Sequence, residues 1–441
     1  MINTISAIIL SLNLFHLGNI SGSSGQDYQA YQGEVILEGD TTALILEILQ
    51  DDFSAISWSL ENAGRHRLPL TNLVYSPTSQ SFKGDLSVFG QELVGSLEAK
   101  LIDSGLKGTL LWHGQRIPFQ LSQTAINRHY TEEEIEVNNN GIRLKGTLIL
   151  PKGDQRFPVV AFAHGSGHAT RWWGMYWAKE FAKMGLASFL HDKRGCGESS
   201  GNWMKSSLQD LVSDIESSIA ILKEHPQIDG TRIGIYGVSQ GAWVATKLGA
   251  RNPELSFMIV NSGGGVSPYE KEMYSYETNM RFAGIGEKGI QEGLALVEEY
   301  MAYLRTANNR QQLKAKLEAA AGQAWYPILG LQHILVSEDN VPNWQWVATY
   351  RTEKDIKQLD MPILLLFGDH DHIIPIEKSM SSWQEWLSKG GNKQVEFKVF
   401  AGAGHGLRLG GHHSTGFPKY AQNHIKFIST WFQNTGIIPS E

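Results

Sequence analysis

The sequence predicts an α/β protein built on a mostly parallel sheet, preceded by a small all-β module. From about residue 126 to the C-terminus, apolar strand-length runs alternate with helix-length stretches. Runs such as Val159-Val-Ala-Phe162 and Ile363-Leu-Leu-Leu-Phe367 are apolar without alternation, as parallel strands covered on both faces must be. Between about Tyr28 and Gln123, by contrast, short apolar stretches recur with period two, broken by Gly, Asp, Asn and Ser. That is the pattern of half-buried antiparallel strands.

The chain opens on an apolar run over residues 5–17, followed by Ser21-Gly-Ser-Ser-Gly25. A run of that length with small residues after it predicts a secretory signal over residues 1–25, and so a secreted or periplasmic mature protein. No Lys or Arg precedes the run, so a buried strand or short helix in a cytoplasmic protein is the competing reading. No segment reaches the roughly 18 apolar residues of a membrane-spanning helix. Residues 26–125 form the β-rich module, with strand candidates at 33–38, 55–60, 81–86, 108–112 and 117–121. Turn residues space them as in a small meander or barrel. The module holds no His, Asp and Glu at catalytic spacing, which makes it an accessory domain.

Residues 126–441 carry the alternation. After a polar strand and an Asn-Gly turn over 131–141, strands are expected at 146–151, 158–164, 187–191, 232–238, 257–261, 362–367 and 395–400. Helices are expected over 173–184, 207–224, 241–250, 376–388 and 419–432. Between about 265 and 352 the alternation stops, and stretches such as 289–305 and 309–321 read as helical, with aromatics at Trp325, Tyr326, Trp344, Trp346 and Tyr350. An insertion of this size between two core strands predicts a helical cap over the strand ends, where such sheets build their sites.

At 441 residues the chain has room for two or three domains, and 41 % hydrophobic residues suffice for a sizeable core. The formal net charge is −7, with no Lys/Arg block, so a nucleic-acid or anionic-membrane partner is not expected. A single cysteine, Cys196, excludes an internal disulfide and any cysteine-based metal site.

Chemistry concentrates in four short motifs, each at the end of an expected strand. Gly237-Val-Ser239-Gln-Gly241 follows the strand at 232–238 and precedes a helix. In a sharp strand-to-helix turn the glycines remove side chains that would clash, and Ser239 is left exposed at a helix N-terminus as a nucleophile. Ala163-His-Gly-Ser166-Gly167 follows the strand at 158–164. His164 is read as bracing the loop that begins there. Phe367-Gly-Asp369-His-Asp371-His-Ile-Ile-Pro375 holds two aspartates that compete for the role of acid, with Asp369 capping the turn through its own side chain if Asp371 prevails. Gly404-His405-Gly406 follows the last strand. His412 and His413 lie close by, but their spacing, without a carboxylate pair, argues for a polar loop over a metal site. No metal or organic cofactor is called for.

The order Ser239, Asp371, His405 is that of the α/β-hydrolases. Over roughly residues 134–431 the chain resembles the serine esterases of that superfamily and its dienelactone-hydrolase-like and dipeptidyl- or acylaminoacyl-peptidase-like groups. The resemblance favours Asp371 as the acid, on the pattern Gly368-x-x-Asp371 with Pro375 four residues on. It implies that His405, in the glycine-flanked loop after the last strand, is the base. It places an oxyanion-hole loop after the strand at 158–164, which assigns the Ser166 amide together with the Gln240 amide next to the nucleophile, with Gly165 the alternative to Ser166. The resemblance also covers Asp192-Lys-Arg194-Gly-Cys196-Gly-Glu-Ser199, a loop of structural role in these enzymes. There Asp192 and Arg194 are expected to form a buried pair or turn contacts, and Cys196 to be inert. The β module resembles, in strand pattern, the lipocalin-like module that precedes certain bacterial members. The expected activity is hydrolysis of a small-molecule ester or acyl substrate through an acyl-enzyme. A peptidase for short or N-blocked peptides, a thioesterase or acyltransferase, and a non-catalytic binding protein are the alternatives. Arg171-Trp-Trp-Gly-Met-Tyr-Trp177 either lines the cleft or is the buried face of the next helix. Where related enzymes carry Gly-Ser-Gly-Pro, this chain has Gly165-Ser-Gly-His168, so no family substrate transfers directly.

Overall fold

The computed structural model describes residues 28–49, 53–88, 92–410 and 416–439. The expected signal segment, up to residue 25, and the pair His412 and His413 lie outside these residues. Among the described residues, no helix is long and apolar enough to cross a membrane.

The N-terminal module is a closed barrel in which each strand pairs with the next. Its strands are β1 (Tyr28–Leu37), β2 (Asp40–Leu49), β3 (Ile56–Leu60), β4 (Arg65–Ser76), β5 (Ser81–Val88), β6 (Glu92–Ile102), β7 (Gly105–Trp112) and β8 (Gln115–Thr124). β1 closes the ring by pairing antiparallel with β8. Glu38-Gly39 and His113-Gly114 make two-residue hairpin turns with positive φ at both positions, the geometry that matches the right-handed twist of the strands. Alternate residues such as Leu44, Leu46 and Ile48 on β2 are buried and join one cluster around Trp58 and Trp112. Eight strands enclose a space that side chains can fill, and here the two tryptophan rings meet edge to face at 6.3 Å.

The second sheet has eight strands in the order β16-β15-β14-β13-β11-β12-β10-β9. They are β9 (Tyr130–Asn139), β10 (Ile142–Pro151), β11 (Phe157–Ala163), β12 (Ala187–His191), β13 (Ile228–Val238), β14 (Phe257–Asn261), β15 (Ile363–Gly368) and β16 (Val395–Phe400). β11 to β16 run parallel, and the β9–β10 hairpin is antiparallel to its neighbours. Helices α1 (Met175–Lys183), α2 (Leu208–Glu224) and α3 (Gln240–Gly249) fill the early crossovers. Between β14 and β15 come α4 (Pro268–Phe282), α5 (Glu287–Thr306), α6 (Arg310–Ala319), α7 (Tyr326–Leu329), α8 (Leu331–Ile334), α9 (Val341–Thr349) and α10 (Glu353–Ile356). α11 (Ile376–Gly390) and α12 (His424–Asn434) complete the chain. α2, α3 and α11 cover one face and α1 and α12 the other, so the central strands are apolar throughout. The helices from α4 to α9 hold a core of their own. α4 is announced by Ser267 and Glu270, which cap each other's backbone amides, with Pro268 at the first position.

One segment differs from expectation, and a second falls to one of its two expected readings. The last helix begins at His424, because Lys419-Tyr420 pairs instead as a short strand with Arg408-Leu409, and Asn423 takes a left-handed conformation that breaks any continuation. The Trp-rich stretch after residue 170 is mainly structural. Met175 and Trp177 are buried under the sheet, and Trp172 packs against both the barrel core and the sheet core.

That second core contact belongs to a junction between the two domains. Phe417, far along the chain, sits in the barrel's own cluster, its ring 5.6 Å from that of Trp112, while Trp112 Nε1 donates to the Gly416 carbonyl. Tyr420 stacks on Tyr176 at 4.9 Å and lies against Gly64, where any Cβ would collide with its ring. Arg67 is buried between Glu47 and Glu132. The barrel therefore grips the segment just beyond the His405 loop. Phe417→Ala is expected to cost about 3–5 kcal/mol, the usual range for a buried Phe, read as a fall in thermal midpoint. A midpoint unchanged within error contradicts the junction.

Candidate active site

Ser239 sits at φ 53°, ψ −118°, between the end of β13 and the first residue of α3. Such a backbone is strained for any residue with a Cβ and persists only where its surroundings enforce it. They do so through the glycines. A Cβ on Gly237 would lie 2.3 Å from the Gly241 carbonyl oxygen, and one on Gly241 would lie 2.1 Å from that of Ala163. The Ser239 amide is tied across to the Asn261 carbonyl at 3.0 Å. The expected turn at Gly-Val-Ser-Gln-Gly is present.

Asp371 and His405 meet. The His405 ring presents Nδ1 to Asp371 Oδ2 at 2.9 Å. Asp371 Oδ1 accepts the Ile373 and Ile374 amides at 2.8 and 3.0 Å. Burial pushes this carboxyl up, but His405 and the two amides outweigh it and hold it below the ordinary range. An ionised carboxylate only accepts, so Nδ1 carries the proton and Nε2 is left with a lone pair. Gly368 is required where β15 ends, since a Cβ there would lie 2.1 Å from the Ala403 carbonyl of the base loop. Asp369, expected to cap its own turn, instead accepts the Gly402 amide at 2.7 Å and so braces the neighbouring loop.

Sequence reasoning did not find a buried polar chain behind the base. The Gly406 amide donates to Ser262 Oγ at 3.0 Å, Ser262 Oγ donates to Asn261 Oδ1, and Asn261 Nδ2 donates to the Tyr236 hydroxyl at 2.7 Å. It links the base loop to the strand that carries Ser239.

The loop after β11 lies against the nucleophile: a Cβ on Gly165 would stand 3.6 Å from Ser239 Cβ. Ser166 stands next to Gly165 in this loop, and Gln240 is the first residue of α3, where the leading N–H groups of a helix have no partner within it. His164 braces the loop by donating from Nε2 to the His191 carbonyl at 2.6 Å, and burial holds its imidazole well below the usual range. Lys193, which the motif reading passed over, donates to the Gly165 and Gly167 carbonyls and to Gln240 Oε1.

Asp192 and Arg194 are both buried but do not pair with each other. Asp192 holds the Arg171 guanidinium at 3.2 Å and the Arg171 and Glu198 amides, whereas Arg194 forks onto Asp214 at 2.7 Å to each carboxylate oxygen. The one-residue gap points the two side chains to opposite sides of the loop, so each finds its partner elsewhere. Cys196 is buried and its thiol is pushed up to about 11 by burial, which keeps it protonated and inert. Above the site, α4 leans on the acid loop: Thr278 Oγ1 donates to the His372 carbonyl and the Tyr274 hydroxyl to that of Asp371. Among the described residues no group of three His, Cys, Asp or Glu could hold a metal ion.

Known proteins resemble this chain in parts. A thiohydrolase of Aspergillus aculeatus is 33 % identical over 130 residues, which is 29 % of this chain and 39 % of that protein. A monoacylglycerol lipase of Mycolicibacterium smegmatis is 26 % identical over 278 residues, covering 60 % of this chain and 86 % of the lipase. The structure of a Pyrococcus furiosus esterase superposes with a TM-score of 0.45 at 15 % identity, over 69 % of this chain and 91 % of that one. Residues 140–405, from the β9–β10 turn to the His405 imidazole, match the family described as X-Pro dipeptidyl-peptidase (S15 family). With a closed barrel at its N-terminus and an α/β-hydrolase sheet behind it, this chain belongs to the S15 family of serine hydrolases.

Proposed function

We propose that the protein hydrolyses carboxylic esters through an acyl-enzyme on Ser239. The observation that carries the reading is the strained Ser239 elbow against the Gly165 loop, together with a His405 whose Nδ1 is committed to Asp371. His405 Nε2 takes the Ser239 proton as Oγ attacks the acyl carbonyl. Asp371 stabilises the imidazolium that results. The amides of Ser166 and Gln240 receive the oxyanion, each worth about 2.7–4 kcal/mol in the transition state. His405 then hands its proton to the leaving alcohol, and water releases the acid by the same steps in reverse order.

An ester is favoured over a peptide by charge. A dipeptidyl-peptidase must fix its substrate's N-terminal ammonium, and an unengaged carboxylate is the natural partner. The buried carboxylates around this loop are committed, Asp371 to His405, Asp192 to Arg171 and Asp214 to Arg194, and the charge beside the loop is the Lys193 ammonium. The monoacylglycerol lipase and the thiohydrolase point, by their names, to ester and thioester chemistry. The family match favours the second reading, cleavage of an Xaa-Pro dipeptide from a peptide N-terminus. A p-nitrophenyl acyl ester series run beside an Xaa-Pro p-nitroanilide separates the two. Turnover of the ester with the anilide intact is the expected result, and comparable cleavage of both moves the protein to the peptidases.

A further inference from the structure

Lys193 has no part in the chemistry above, yet its surroundings are specific. Its side chain is buried, 3 % exposed, at the second position of the Asp192-Lys-Arg194 loop. Nζ donates to the Gly165 carbonyl at 2.7 Å, the Gly167 carbonyl at 3.0 Å and Gln240 Oε1 at 3.1 Å. The Trp203 ring lies 5.8 Å from it. Trp203 in turn meets Trp344 of α9 edge to face, and Trp344 Nε1 and Asn340 Nδ2 both donate to the Met204 carbonyl, which fastens the cap down over the lysine. The nearby carboxylates Asp192 and Asp214 are engaged by Arg171 and Arg194. A buried ammonium held only by neutral dipoles is costly. Here two of the three dipoles come from residues next to Ser239, Gly165 packed against it and Gln240 following it in the chain, and the third from Gly167 of the same loop as Gly165.

We propose that Lys193 is a positioning residue for the oxyanion hole, an inference that rests on the ester-hydrolase reading of Ser239. The peptide between Gly165 and Ser166 is planar and trans, so its C=O and N–H point in opposite directions. With the Gly165 oxygen held by the ammonium, the Ser166 N–H is turned away from the lysine and kept from rotating back. Donation to the carbonyl also polarises that peptide and strengthens its N–H as a donor. The bond to Gln240 Oε1 anchors the residue that supplies the other amide. A fixed positive charge behind the hole gains energy as negative charge develops in front of it, at no cost of reorganisation during the reaction. A compact ammonium with three donors suits three convergent acceptors.

The charge is also poised to titrate. Burial pushes the Lys193 ammonium down to about 8. The ionisable groups around it are His164, His191 and Asp214, which share a small cavity with it, the adjacent Asp192 and Arg194, and Cys196. His164 is held well below the usual range, His191 is lowered to about 4, and Cys196 is raised to about 11. Their titrations are separated from that of Lys193. The sign for stability is opposite to that for activity. The folded chain binds this proton less tightly than the unfolded chain, so Lys193 detracts from stability at neutral pH, and that loss fades as pH rises from about 8 toward the ~10.4 of an unfolded lysine.

The test compares wild type, Lys193→Met and Lys193→Arg on a saturating p-nitrophenyl ester between pH 6.5 and 10, with thermal midpoints recorded at each pH. Lys193→Met is expected to lose about 10- to 100-fold in kcat, short of or equal to the removal of a whole oxyanion donor, with KM within about twofold. Wild-type kcat is expected to fall on the alkaline side while its midpoint gains on that of Lys193→Met. Lys193→Arg, which keeps its charge, is expected to recover part of kcat and to lack the alkaline limb. The wild-type limb needs no variant to fold: a profile flat to pH 10 overturns the inference. So does a folded Lys193→Met enzyme within threefold of wild-type kcat. Either result with active wild type leaves the hydrolase reading intact, whereas wild type that turns over no ester removes both.

Discussion

Ser239→Ala is expected to lower kcat on a p-nitrophenyl ester by about 10⁶-fold, leaving only what the oxyanion hole and binding supply. Its midpoint should match wild type, because Ala keeps the Cβ and so the strain at φ 53°. Ser239→Gly, equally inactive, removes that Cβ. A glycine adopts such a backbone freely, and relief of strain of this kind is worth about 1–3 kcal/mol. The pair of variants thus separates nucleophile from geometry: both lose activity, and only the glycine gains stability. A Ser239→Ala enzyme retaining more than a few per cent of kcat contradicts the assignment.

Asp371→Asn is expected to lower kcat by about 10⁴-fold with little change in fold, the usual cost of the wrong imidazole tautomer. Asp371 uses one oxygen for the Ile373 and Ile374 amides and the other for His405 Nδ1. Asparagine keeps its oxygen on the two amides, which can only donate, and so turns its NH₂ toward His405. Nδ1 must then accept, the ring proton moves to Nε2, and the base faces Ser239 with a hydrogen instead of a lone pair. The buried carboxylate charge that stabilises the imidazolium is lost as well. Asp369→Asn is the control: it disturbs only the brace to Gly402, and a loss as large as that of Asp371→Asn contradicts the choice between the two aspartates.

Much of this was legible in the chain because the residues concerned stand at strand ends. Ser239 and Asp371 follow apolar strands, and the glycines at Gly237, Gly241 and Gly368 stand where a Cβ would collide with a backbone carbonyl. His405 follows the alternating strand Val395–Phe400 and lies between two glycines. The barrel was legible as alternating strands, since a two-residue period is local. What escaped depends on contacts distant in sequence. Asp192 and Arg194 look like natural partners two residues apart, but the acids and bases they meet, Arg171 and Asp214, lie on other elements. Phe417 reads as an ordinary aromatic until the fold brings it to Trp112. Lys193 occupies a position that its motif leaves variable, and a lysine in a polar loop is normally solvated. Only the three carbonyl oxygens around it reveal its burial.

The most direct test of the central claim is to treat the protein with a fluorophosphonate and locate the adduct by mass spectrometry. Attack on phosphorus needs the same activated oxygen and the same oxyanion donors as attack on an ester. One adduct per chain on the peptide containing Ser239, abolished in Ser239→Ala and strongly slowed in Asp371→Asn, is the predicted result. An unlabelled protein, or an adduct on a different residue, contradicts the account.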